Sequence, residues 1–202
     1  MKKQANLKFA DIILNKVKNG IIITDTEGTI LWVNTAFELT TGYALQEVVG
    51  HTPGRLLQGP DTSPAAIEIM RNAIKDAEGF NLEVVNYTKN KVPYWVHIDC
   101  SPLFDHDDHL GFIAIESDIT EKRDREEKLI AKNNFLQDIL QDMSHEMRGP
   151  VASILGLNAA IKVTQGVEEK LEMFDLLNDC ARELDKIFLQ MNVKIYKESR
   201  NE

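Results

Sequence analysis

The chain has 202 residues, 43% of them hydrophobic, which is enough apolar material for a packed core in one large domain or two small ones. A net charge of −9 argues against nucleic-acid or anionic-membrane binding, which calls for a basic face or stripe, so neither is an expected partner. The longest apolar runs, such as Ile21–Ile23 and Leu110–Ile115, fall far short of the ~20 residues that cross a bilayer, and no small-residue cleavage site follows the basic start, so a cytoplasmic location is expected.

In chain order, Leu7, Ala10, Ile13, Leu14 and Val17 recur at helical spacing and predict a short cap helix within residues 1–19, ended by Gly20. Ile21–Thr24 and Thr29–Val33 are β-rich and are joined by Asp25-Thr26-Glu27-Gly28, a hairpin turn with glycine where positive φ is needed. Short helical pieces are expected over 34–41 and 44–49, followed by a segment punctuated by Pro53, Gly54, Gly59 and Pro60. Ser63-Pro64 then opens a helix to about Ala77, with Ile67, Met70 and Ile74 inward. Phe80–Thr88, Pro93–Phe104 and Leu110–Ile119 read as three antiparallel strands.

The order predicts a domain over 20–119 with a five-stranded antiparallel sheet and helices on one side. Asp105–His109, DHDDH, reads as a solvated hairpin loop, because five consecutive residues on a turn rarely converge on one ion, and no metal site is expected. His51 and His97 read as structural. Cys100 and Cys180 have no metal spacing and are expected as reduced thiols.

After Asp118 the composition changes. EKRDREEK over 121–128 has opposite charges three and four residues apart, as suits a solvated helical linker, here assigned to 120–134. The helix is expected to run to Val163, break at Thr164-Gln165-Gly166 and resume near Val167, making an antiparallel hairpin over 135–199. Leu136, Leu140, Met143, Met147, Val151, Ile154 and Ile161 mark the first helix's predicted seam. Leu171, Phe174, Leu177, Ala181, Leu184, Phe188, Met191 and Ile195 mark the second. One hairpin has no third layer, so pairing with a second copy into a parallel homodimeric four-helix bundle is expected. The fold class is α+β.

Ser144–Pro150, SHEMRGP, places His145 at the outer f position of the heptad, open to water and partners. A neutral imidazole is a good nucleophile, and Glu146 beside it is a candidate acid/base group. Gly149-Pro150 removes a helical hydrogen bond just below the histidine and is a candidate hinge.

SHEMRGPVASILGL, in a long helix followed by a hairpin partner, resembles the phosphoacceptor box of sensor histidine kinases; the resemblance covers roughly residues 125–199. It implies that His145 is the phosphoacceptor, Glu146 its acid/base neighbour, and a response-regulator aspartate the recipient of the phosphoryl group. Many family members carry threonine or asparagine four residues after the histidine to position water for dephosphorylation; here Gly149 stands there. No ATP-binding box of that family is present in the sequence. ATP is therefore expected to act only through a catalytic domain supplied in cis or in trans, and the chain is not expected to phosphorylate itself alone. The alternative is a non-catalytic interaction module that scaffolds or inhibits a kinase or regulator.

The β and α order of residues 20–120, closing on Asp118-Ile119-Thr120, resembles a PAS domain. GRLLQGPDT (54–62) and NYTKNKVPYW (86–95) resemble the flavin-binding LOV subgroup. That resemblance implies flavin contacts at Arg55, Gln58 and Asn86. The reactive cysteine before the arginine is replaced by Gly54, the asparagine before it by Pro53, the asparagine after the tryptophan by Val96, and the glutamine of the last strand by Glu116. Three retained contacts against four losses disfavour FMN. Haem is disfavoured because the helix over 63–77 has no histidine, so no bound cofactor is expected. Signal would then pass as a change of linker twist or tilt that reorients the helix carrying His145.

Overall fold

In a computed structural model, residues 12–198 are described. Strands β1 (Gly20–Thr24), β2 (Ile30–Val33), β3 (Phe80–Tyr87), β4 (Pro93–Asp105) and β5 (Asp108–Asp118) form one antiparallel sheet in the order β2-β1-β5-β4-β3. Helices α1 (Thr35–Thr41), α2 (Leu45–Val48), α3 (Pro53–Leu57) and α4 (Pro64–Lys75) occupy the connection from β2 to β3. Helices α5 (Thr120–Val163) and α6 (Val167–Glu198) follow the sheet. The chain divides into two units between Glu126 and Glu127. Among the described residues, no helix is long and apolar enough to cross a membrane.

The sheet and its helices match the predicted α+β order, with three differences. The predicted cap helix lies mostly outside the described residues; only residues 12–14 are seen as helix, and Gly20 already opens β1. The segment over 53–57, read as punctuation, is the helix α3, because Pro53 sits at its first turn, where a missing N–H costs nothing. The β4–β5 connection is only His106-Asp107; the aspartates on either side, Asp105 and Asp108, pair as strand.

Two clusters of apolar residues fill the space between the inward sheet face and the helices. Ile22, Ile30, Val33, Phe37, Val48 and Leu57 pack at the β1–β2 end. Ala66, Val84, Tyr94, Val96, Ile98 and Phe112 pack at the β3–β5 end, and Ala114 touches both groups. Alternation along β4 and β5 produces this face: every second side chain turns inward. The loop between α3 and α4 is latched to β3. The Tyr87 hydroxyl donates to Asp61 Oδ2 and accepts from the Asp61 N–H, and Thr62 Oγ1 donates to the Val85 carbonyl at 2.7 Å. Gly59 permits this, since a Cβ there would lie 2.4 Å from the Tyr87 ring.

In the second unit, Ile139, Ile187 and Met191 are buried, with Phe135, Met143 and Met147 against them. Lys194 Nζ meets Asp142 Oδ2 at 2.9 Å across the pair, as an antiparallel hairpin requires. The turn is at 164–166, as predicted. The seam is shifted, however. Leu136, Leu140 and Val151, assigned to it from spacing, are 42%, 56% and 39% exposed, while Ile139 and Pro150 are buried. Two adjacent apolar stripes run along this helix, and a 3.6-residue period does not rank one above the other.

Asn34 ties the start of the first unit together. Fully buried, it caps α1: its Oδ1 accepts from Phe37 N at 3.0 Å and from Ile21 N at 2.9 Å, and its Nδ2 donates to the carbonyls of Leu14 and Asn19. Asn34→Ala removes the cap and leaves these buried groups unpaired. It is expected to destabilise the protein by about 2–4 kcal/mol, read as a lower urea midpoint.

Candidate functional site

The inward face of the sheet, the β1–β2 turn and helices α3 and α4 line a half-open cavity of about 450 Å³, within the ~300–1,000 Å³ of small-ligand sites. Its walls are mainly apolar, with Ile22, Met70, Ile74, Phe80, Ile98 and Phe112 among them. Pro53 at the first turn of α3 brings Gly54, Arg55 and Gln58 to one side, and the Ser63 cap with Pro64 starts α4 so that Met70, Arg71 and Ile74 reach the same space. The strands contribute Thr24, Cys100, Ala114 and Glu116.

Glu116 is the unusual member. It lies on β5 in the same alternation as Phe112 and Ala114, so it faces inward, opposite Ile98 on β4 and Gly20 on β1. It is 7% exposed, and no hydrogen bond or ion pair joins its carboxyl to any described residue. Burial pushes its pKa up to about 7. Two neighbours on β4 respond to it. Burial, with Asp99 and Glu116 nearby, pushes the Cys100 thiol up to about 12, which keeps it protonated and a poor nucleophile. Burial, then Glu116, also raises the Tyr94 phenol, with Asn86 beside it acting in the opposite direction.

Of the residues that the sequence marks for flavin contact, Arg55 and Gln58 line the cavity. Asn86 is buried at 3% exposure on β3, paired with Tyr94, but is not part of the lining. Sequence reasoning missed Arg71 and Cys100, and took Glu116 only as the loss of a glutamine. The alternation FIAIE over 112–116 is the signal that places Glu116 inward.

On α5, His145 and Glu146 are both exposed, and no hydrogen bond joins them. Successive residues on a helix diverge by about 100°, which separates the two side chains. Ser144 Oγ donates to the Leu140 carbonyl at 2.8 Å and is used locally. Helix α5 continues through Gly149 and Pro150; Pro150 is buried, and a Cβ at Gly149 would meet open space.

The raised Glu116 pKa has a sign. Between the ordinary carboxyl value of 4.5 and about 7 the unfolded chain releases this proton while the folded chain keeps it, so folding stability falls as pH rises through that window. Glu116→Gln removes the linkage. Relative to the Gln variant, the wild type is expected to lose about 3 kcal/mol between about pH 4 and about pH 8, measured by urea unfolding at each pH.

The PAS domain family description matches residues 18–121. A blue-light photoreceptor of Listeria innocua is 37% identical over 110 residues, 53% of this chain and 43% of that protein. A blue-light-activated histidine kinase 2 of Erythrobacter litoralis is 29% identical over 176 residues, 85% of this chain and 47% of that protein. The chain thus spans less than half the length of these curated relatives. A solved structure described as "Flavin Analogue Sheds Light on Light-Oxygen-Voltage Domain Mechanism" superposes with a TM-score of 0.51 at 25% identity, over 61% of this chain and 93% of that one.

These relatives overturn the expectation of no cofactor with FMN disfavoured. A blue-light sensor needs a chromophore, because no amino-acid side chain absorbs blue light. The expectation counted polar contacts and a missing thiol, whereas a ring is enclosed mainly by apolar walls, and those walls are present. With its family match covering half of the sequence, over the unit that holds the sheet and this cavity, the chain belongs to the PAS domain family.

Proposed function

We propose that the first unit is a flavin-binding blue-light sensor and that the hairpin of the second is its phosphoacceptor output, as in a light-activated histidine kinase. The observation that carries the sensor reading is the cavity itself, lined mainly by apolar walls and provided with one buried carboxyl that has no protein partner among the described residues. FMN, when bound, supplies absorption of blue light. Met70, Ile74 and Phe112 would flank its ring, Gln58 and Glu116 would hydrogen-bond its polar edge, and Arg55 or Arg71 would meet its phosphate. Residue 54 is glycine, so no thiol could bond the ring from that position, and the residues that would meet the ring's polar edge are Gln58 and Glu116.

For the output, the Erythrobacter relative matches 85% of the chain, a stretch long enough to include Ser144–Pro150. His145 is exposed on a long helix, where a phosphoryl donor and then an acceptor can reach it. Its imidazole attacks the γ-phosphorus of ATP held on a catalytic domain in cis or in trans, ADP leaves, and the phosphoryl group passes to a receiver-domain aspartate. A second copy covers the exposed stripe that includes Leu136, Leu140, Val151 and Leu155, closing a four-helix bundle. Gly149 supplies no side chain to position water, so dephosphorylation by that route is not expected.

Two measurements test the two halves. Adding FMN to purified protein and removing the excess should leave a structured blue absorption band on the protein; its absence sinks the sensor reading. With ATP and a histidine-kinase catalytic domain in trans, acid-labile phosphate should appear on the wild type and be lost in His145→Ala. Equal labelling of the variant excludes His145, and a wild type that binds the domain but takes no label points to a non-catalytic scaffold.

A further inference from the structure

The polar groups buried in the first unit are, with few exceptions, satisfied by the protein. Asn34 makes four hydrogen bonds, and Thr41 and Thr62 each donate to a backbone carbonyl. Glu116 has no such partner, and it lines the cavity. A buried carboxyl is tolerated as the neutral acid, which has one O–H to donate; the carboxylate needs water or a cation.

The groups that face it do not supply one. From β4 come Tyr94 and Cys100, whose own raised pKa values keep them protonated. From α3 and α4 come Arg55 and Arg71, which line the same cavity but form no ion pair with it. The β1–β2 turn contributes Glu27, of like charge, while β1 and α1 present the uncharged Ile22, Thr24 and Phe37.

We propose that Glu116 makes flavin retention in this cavity depend on pH, the neutral acid holding the ligand by donating a hydrogen bond to an acceptor on the ring edge and the carboxylate releasing it. The inference rests on the flavin reading above and adds a regulation to it. A ring in the cavity displaces the water that would solvate the carboxylate and places acceptor atoms against it, so ligand and ionisation compete for the same space. By linkage the ligand also strengthens the hold of Glu116 on its proton, which goes to solvent when the ligand leaves.

The test titrates flavin-free protein with riboflavin and, separately, with FMN, following quenching of flavin fluorescence from about pH 6 to about pH 8.5. Riboflavin has no phosphate, so a slope common to both ligands belongs to the protein. Both are expected to bind at least about fivefold more weakly at the upper pH, since complete linkage approaches tenfold per pH unit above the titration point. E116Q and E116M cannot ionise, and whichever of them folds is expected to bind with an affinity flat in pH. An infrared carboxylic-acid band in the ligand-free wild type near neutral pH, lost in the variants, reports the proton independently of any ligand. A wild-type affinity that does not change with pH, or a variant that keeps the wild-type slope, overturns the inference and leaves the flavin reading standing. Binding of neither ligand at any pH overturns the flavin reading, and the inference with it.

Discussion

The first unit depends on the burial of β5 between two neighbours. β1 pairs with it from Gly20 to Thr24 and β4 from Val96 to Asp105, so its backbone is satisfied on both edges and its side chains must alternate. That alternation delivers Phe112 and Ala114 to the core and Glu116 to the cavity. The same strand leads directly into α5. The Ile119 N–H donates to the Trp95 carbonyl, the Trp95 N–H donates to Thr120 Oγ1, and Asp118 Oδ1 accepts from Thr120 N. One turn on, the Arg123 guanidinium lies 3.7 Å from the centre of the Trp95 ring and pairs with Glu83 on β3 at 3.0 Å. An exposed ion pair alone contributes little, but stacking on the indole adds about 0.5–2 kcal/mol and holds the first turn of α5 against Trp95 and Glu83.

This arrangement puts the cavity-facing Glu116 and the helix start within one short stretch of strand. Glu116 itself costs stability at neutral pH. An apolar side chain at that position would carry no such cost, because it has no proton to lose as the pH rises.

The second unit shows a different economy. Its hairpin buries one stripe, Phe135, Ile139, Met143 and Met147 against Ile187 and Met191, and leaves a neighbouring stripe of leucines and phenylalanines in water. Two helices have only one mutual interface, so a helix that is apolar over a wide arc has a surplus face, and that face is what a second copy would cover. His145 lies on neither stripe, which leaves it open to partners.

Much of this was legible in the sequence. The strand–helix order, the turn at Gly28, the Ser63 cap, the break at 164–166 and the exposure of His145 follow from period, capping and glycine chemistry, which act over a few residues. Arg55 and Gln58 were legible through motif likeness. What tertiary structure alone decided are the relations between distant segments: that α3 packs beside β3, that Arg71 and Cys100 join Gln58 around one space while Asn86 does not, which stripe of α5 faces α6, and that Glu116 is left without a partner. Local sequence determines which residues share a face of a strand or helix. Whether a cavity lies behind that face, and whether a carboxyl there finds a hydrogen bond, depends on packing between residues far apart in the chain, where no local preference acts.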